Sequence, residues 1–159
     1  MSAGARIWRN PVHLLACGLG LGLAPFAAGT FGTLLGIPLF LALRDLPLSW
    51  YLAVVLALFA LGVWVCEITA RDLRVHDHPA IVWDEVVGFL LTMTAAPFGW
   101  GWILLGFVVF RIFDIAKPWP IRAIDRGVGG GFGIMLDDLM GGFYGLLTLQ
   151  LIHALLKTP

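Results

Sequence analysis

The sequence predicts an all-α fold: a polytopic transmembrane helical bundle of four to five spans, preceded by a short N-terminal interfacial or re-entrant helix. Three observations predict it. The 159-residue chain is 60% hydrophobic and 13% charged, where a soluble domain carries about a quarter charged residues. Its mean hydropathy is +0.93. Its few charges are gathered into connecting segments, so that 10–43, 46–66, 86–110 and 139–156 contain no Asp, Glu, Lys or Arg. A helix needs about 20 apolar residues to cross the hydrocarbon core, and the last three runs each approximate one crossing. The size suits one membrane domain, 1–159. Ten basic residues balance ten acidic ones, leaving no global field to attract nucleic acid.

In chain order, Arg6 and Arg9 before an apolar run superficially resemble a signal peptide. Gly18, Gly20 and Gly22 weaken that run and no small-residue cleavage site follows, so the segment reads as retained. The apolar stretch 13–23 is too short to cross alone. It enters "APFAAGTFGTLLG", where Pro25, Gly29, Gly32 and Gly36 interrupt a regular helix. Irregular backbone needs partners that lipid does not supply. A short interfacial helix, a functional loop and a span over about 33–43 therefore fit. Arg44, Asp45 and Pro47 make a turn into a span over about 50–66. The run 86–110 is broken by "APFGWGW", which argues for a hairpin with limbs of about 81–96 and 100–116, Trp100 and Trp102 anchoring its tip. The polar, Pro/Gly-punctuated segment 117–138 contains the glycines of 127–133, read as a flexible loop, and a final span covers about 139–156. Cys17 and Cys66, both in apolar sequence, support neither a disulfide framework nor a zinc site.

Placing 67–85 and 117–138 in the cytoplasm puts Arg71, Arg74, Lys117, Arg122 and Arg126 inside and leaves Arg44 and Lys157 outside. That satisfies the positive-inside rule. It also brings three acidic groups to one membrane face: Asp84 and Glu85 in "IVWDEVVG", Asp114 in "FRIFDIAKPWPI", and Asp137 and Asp138 in "GIMLDDLMGG". Ionised groups are costly at bilayer depth and survive there mainly for function. Convergent hard carboxylates suit magnesium, which takes one or two carboxylates plus waters and phosphate oxygens. Adjacent acids on a helix diverge by about 100°, so one of a pair can hold metal while the other holds a second ion, a water or a base. Acids at helix N-termini also complement the dipole. That explanation covers either pair alone but not both pairs together with Asp114.

Arg111, Lys117, Arg122 and Arg126 surround Asp114 in sequence and are suited to phosphate, or to anionic headgroups. Gly29, Thr30, Gly32 and Thr33 form a small-residue turn that lets backbone amides approach a phosphate, although it lacks the ending of a Walker A loop. His76 and His78 offer proton transfer or ligand support at the interface. No DxDxT, PSGH, GxSxG, HExxH or CxxC occurs, so a covalent nucleophile is not evident. Metal-activated water attacking phosphorus is the simplest chemistry for these residues. The rival from another class is a cation pathway through the carboxylates. The acids cluster at one face rather than at the midplane, and no paired broken helices of a transporter repeat are evident.

Taken in order, "GLAPFAAGTFGTL", "VHDHPAIVWDEVVG", "FRIFDIAKPWPI" and "GGGFGIMLDDLMGG" resemble the signature blocks of the phosphatidylglycerophosphatase A family, over about 18–142. Ala28 stands where the family pattern has proline; Gly29 and Thr30 are retained. The resemblance implies a magnesium-dependent, multi-pass phosphatase of the bacterial inner membrane with its site facing the cytoplasm. It implies hydrolysis of phosphatidylglycerophosphate to phosphatidylglycerol and inorganic phosphate, the last step in making that lipid. Another lipid phosphate is the alternative substrate. Functional weight falls on Thr30, Asp84, Glu85, Asp114, Lys117, Asp137 and Asp138, and less on His76, Asp77, Arg111, Arg122 and Asp125. The expected arrangement has Asp84, Glu85, Asp137 and Asp138 as metal ligands, with Asp114 as ligand or base. Lys117 and a nearby Arg face the phosphate, and the Gly29–Thr30 turn donates hydrogen bonds.

Overall fold

The computed structural model describes residues 3–75 and 78–157. Every regular element among them is helical. Two short helices, α1 (Ala3–Arg9) and α2 (Pro11–Ala16), lead through a tight 3-10 stretch (Gly18–Leu23) into α3 (Ala28–Leu43) and α4 (Leu48–Leu73). The hairpin α5 (Trp83–Thr92) and α6 (Trp100–Ala116) follows, then a short α7 (Ile121–Gly127) and a long α8 (Gly130–Lys157). Among the described residues, α4 and α8 are long and apolar enough to cross a membrane. The helices α3, α5 and α6 are shorter, at 16, 10 and 17 residues.

The five longer helices run alternately up and down, and side-chain contacts identify the two ends. At one end the start of α3 meets the start of α5 and the last turns of α6, because a Cβ on Gly29 would strike Glu85 and Arg111. The end of α4 meets the start of α8 there, where the Gly131 amide donates to Glu67 Oε2 at 2.6 Å. At the other end the Arg44 guanidinium lies 3.8 Å from the Phe98 ring centre. Gln150 there caps the α5 turn by donating to the Thr94 and Ala95 carbonyls at 3.0 and 3.1 Å. The helix α8 lies against α4, α5, α6 and α7, and α3 covers the far side of α5. The core includes Val86, Val87, Phe89 and Leu90 of α5, Met93 just past it, Phe110 of α6, Val65 of α4 and Met135 and Leu149 of α8, each nearly or wholly buried.

Helix boundaries depart from the sequence expectations in a consistent direction. The segment 127–133, expected as a flexible loop, is helical from Gly130 onward. Gly130 turns with φ +72°, Glu67 supplies the acceptor an N-terminal amide needs, and Gly131 lies so close to α4 that a Cβ would hit the Val63 carbonyl. Those glycines therefore serve close packing, not flexibility. The expected small-residue turn around Gly29 and Thr30 is instead the first turn of α3, which begins at Ala28 rather than near 33. Thr33 steadies this turn by donating to the Gly29 carbonyl at 2.9 Å. The helix α4 extends to Leu73, well beyond the expected 66, because Glu67, Thr69 and Asp72 find partners on α8 and α2. His13 of α2 lies 3.0 Å from Thr69 Oγ1 and 3.4 Å from Asp72, which pins the N-terminal segment on α4. The hairpin is present, but α5 is shorter than the expected 81–96. Its flanks, including Ile81, Val82 and Thr94, are irregular and buried in the bundle.

Candidate active site

The last two turns of α6, the first turns of α3 and α5, and the second and third turns of α8 converge at one end of the bundle. Asp84 and Glu85 project from the first turn of α5, and Asp138 projects from α8, where it is 3% exposed. One oxygen from each of these three carboxylates lies within 4.8 Å of the others. Consecutive acids can both join only because the longer Glu85 side chain bridges the angular offset between neighbours. Asp138 also lies against Asp114 of α6.

One guanidinium enters the carboxylate cluster. Arg111 Nη1 donates to Asp114 Oδ2, one turn along α6, and lies 3.9 Å from Glu85 Oε1. The Arg111, Glu85 and Asp114 side chains are 17%, 13% and 14% exposed. Gly29 closes the wall, since any side chain there would displace Glu85 and Arg111. Thr30 follows it, half-buried, in the same turn. In this pocket the buried acceptor Glu85 Oε2 and the buried donor Arg111 Nε make no hydrogen bond with the described residues. A buried acceptor or donor left this way costs about 1–3 kcal/mol, more when charged. An acceptor that a cation would satisfy thus stands near a donor that an anion would satisfy.

Asp137 is not among the three clustered carboxylates. It leaves α8 about 100° round from Asp138 and accepts from Lys117 Nζ at 2.5 Å, and the same ammonium donates to Asp125 Oδ1 at 2.6 Å. The divergence expected for adjacent acids therefore divides this pair, Asp138 to the carboxylate cluster and Asp137 to a cation. Lys117, just past α6 with φ +41°, is turned back toward α8 by its left-handed backbone. Burial pulls its pKa down, but hydrogen bonds and charge from Asp125 and Asp137 more than offset this and hold it above the ordinary lysine value. Arg122 donates to the Ala116 carbonyl at 3.2 Å and is exposed. His76 and Asp77 lie outside the described residues. His78 caps the neighbouring backbone, accepting at Nδ1 from the Ala80 amide at 3.1 Å.

Sequence reasoning gave Asp125 little weight and Glu67 none. Asp125 had a legible signal, an acid within one short helix of Lys117. Glu67 had a weaker one, the first charge after an apolar run, and its pairing with Gly131 needs the tertiary fold.

Comparison with known proteins adds an independent line. A profile of the family described as "Phosphatidylglycerophosphatase A" matches residues 14–153. The Escherichia coli (strain K12) protein named phosphatidylglycerophosphatase A is 50% identical over 134 residues, 84% of this chain and 78% of that one. Its namesake from Haemophilus influenzae is 44% identical over 146 residues, 91% and 90% of the two chains. A Bacteroides thetaiotaomicron protein, named as a proposed phosphatidylinositol-3-phosphatase, is 35% identical over 144 residues, 86% and 89% of the two. No solved structure matches the chain. Asp84, Glu85, Asp114, Asp137 and Asp138 all fall within the matched span, and by that match the chain belongs to the phosphatidylglycerophosphatase A family.

Proposed function

We propose that the chain hydrolyses the terminal phosphomonoester of phosphatidylglycerophosphate, releasing phosphatidylglycerol and inorganic phosphate at the cytoplasmic face of a bacterial inner membrane. The family supports the reaction. The observation that carries the site is the convergence of Asp84, Glu85 and Asp138 beside Arg111, with an unsatisfied buried acceptor and donor between them. Three carboxylates this close repel one another, and burial makes that repulsion costly unless a cation compensates it. Their hard oxygens fit magnesium. Asp84, Glu85 and Asp138 would hold magnesium, which would supply Lewis acidity toward a phosphoryl oxygen and acidity to water.

The chain's own groups perform the rest. Arg111 presents Nε to a phosphate oxygen while Asp114 holds the rest of its fork in place. Asp114, beside Asp138 and partly buried, is the group positioned to take a proton from attacking water. Water adds to phosphorus, the bond to the glycerol oxygen breaks, and that oxygen takes a proton from solvent to leave as the hydroxyl of the product lipid, while Asp114 returns its proton to solvent. Gly29 keeps the approach open and brings the first amides of α3 to the phosphate side of the site. Lys117 acts one layer out, fixing Asp137 and thereby the third turn of α8.

We read all five longer helices as membrane-embedded. The helix α5 is only about 15 Å long, but its irregular flanks are buried in protein, the condition under which such backbone is tolerated at membrane depth. The carboxylate end carries Arg71, Arg74, Arg111, Lys117, Arg122 and Arg126, and the other end Arg44 and Lys157. That asymmetry supports a cytoplasmic site.

The test is phosphate release from phosphatidylglycerophosphate by purified protein in detergent, with magnesium and with EDTA, beside Asp138→Asn. Turnover that needs both magnesium and Asp138 supports the reading. Turnover unaffected by EDTA and by the substitution sinks it. Because one relative is named for an inositol lipid, phosphatidylinositol 3-phosphate belongs in the same assay, and preferential release from it would reassign the substrate.

A further inference from the structure

A second basic site lies beside the acidic one. Lys117, Pro118, Trp119, Arg122, Ala123 and Arg126 line a cavity of about 370 Å³ on the connection between α6 and α8. Resting on the hydrolysis proposed above, we propose that this cavity binds the phosphodiester of the substrate while the carboxylate cluster takes its terminal phosphomonoester.

Position supports the division. Lys117 lines the cavity and also bonds Asp137, the neighbour of Asp138. The two sites are therefore separated by one side-chain layer, and the substrate carries its two phosphates on either side of one glycerol. Charge supports it as well. The Lys117 ammonium is compensated by Asp125 and Asp137, so the cavity's free positive charge comes from the two arginines. Arg122 uses one nitrogen on the Ala116 carbonyl, and Arg126, exposed, has no hydrogen bond or ion pair among the described residues. Guanidinium forks suit the two unesterified oxygens of a phosphodiester. The volume lies within the range of small-molecule pockets.

Depth is the third observation. Trp119, 82% exposed at the cavity wall, has the amphipathic ring enriched at the membrane interface, the level at which a phospholipid's diester sits. The same phosphodiester chemistry exists in neighbouring anionic phospholipids, so the test must separate the substrate's own diester from theirs.

The experiment measures kcat/KM for phosphatidylglycerophosphate and for phosphatidic acid, which has the monoester but no diester-linked glycerol. Wild type, Arg122→Gln and Arg126→Gln are compared in a neutral detergent without added anionic lipid. Both arginines are exposed on a seven-residue surface helix, which limits the risk to folding; melting in detergent checks it. The expected result is wild-type preference for phosphatidylglycerophosphate and a loss of that preference by about tenfold in each variant, mainly through KM, since each variant loses one charge-assisted hydrogen bond to the diester. Arg126→Lys should recover part of it. Equal losses on both substrates would overturn the proposal, as would an effect that emerges only after phosphatidylglycerol is added to the micelles. Wild-type protein that hydrolyses both substrates equally would overturn the cavity but leave hydrolysis standing. Protein inert toward both would remove the hydrolysis reading and this one with it.

Discussion

Asp138 is the residue on which the catalytic reading turns. Its carboxylate is buried among Asp84, Glu85 and Asp114, so Asp138→Asn removes a ligand while relieving repulsion. Phosphate release should fall by about a hundredfold or more, with thermal stability in detergent unchanged or raised; a large loss of stability would mean the group is structural. Gly29→Val tests the wall of the same pocket. Its Cβ would displace Glu85 and Arg111, so activity should fall sharply although the residue is helical and Val costs less than glycine there in propensity. Unchanged kinetics would show that the pocket has room to spare. Lys117→Met would leave Asp137 buried and uncompensated, at a cost of about 3 kcal/mol. Adding Asp137→Asn should return most of that stability, a coupling readable from a double-mutant cycle. Additive losses would mean that the ion pair is not what holds α8.

At the scale of elements, the glycines of α8 and α5 set how closely the helices approach. A Cβ on Gly142 would run into the Gly88 carbonyl, and one on Gly145 would come within 2.6 Å of Thr92 Oγ1. Thr92 fastens the crossing by donating to the Gly88 and Gly142 carbonyls at 3.1 and 3.3 Å. In a membrane, where lipid is as apolar as leucine, this close packing and its hydrogen bonds replace the hydrophobic effect as the force between helices. Gly142→Leu should therefore destabilise the protein by about 1–3 kcal/mol or more, and it should lower activity by separating Asp138 from Asp84 and Glu85. Thermal melting and phosphate release measured together check this; a variant that melts like wild type would refute the packing account.

For the whole molecule, the alternating bundle makes a topology prediction. Cys17 and Cys66 are fully buried and should not react with a membrane-impermeant maleimide. Asp45→Cys, at the end away from the site and strongly exposed, should label in cells with a permeabilised outer membrane. Gly127→Cys, exposed on the site side with nothing near its added Cβ, should label only after the inner membrane is opened. The reverse pattern would turn the site toward the periplasm.

Much of this was written in the sequence by itself. Runs free of charge located α4, α6 and most of α8, and the break at Pro97 to Gly101 located the hairpin that returns Asp114 to Asp84 and Glu85. The i, i+3 spacing of Arg111 and Asp114 made their pairing legible, because both lie on one helix. The charge clusters also named most of the residues now found at one end of the bundle. Only the tertiary structure divided Asp137 from Asp138, joined Lys117 to Asp125, and set Glu67 on the start of α8. It also recast Gly131, Gly133, Gly29 and Gly32 as sites of close approach rather than of loop or turn. The reason is physical: spacing along a helix fixes which side chains share a face, but contact between helices depends on their separation and rotation, which packing decides after the chain has folded.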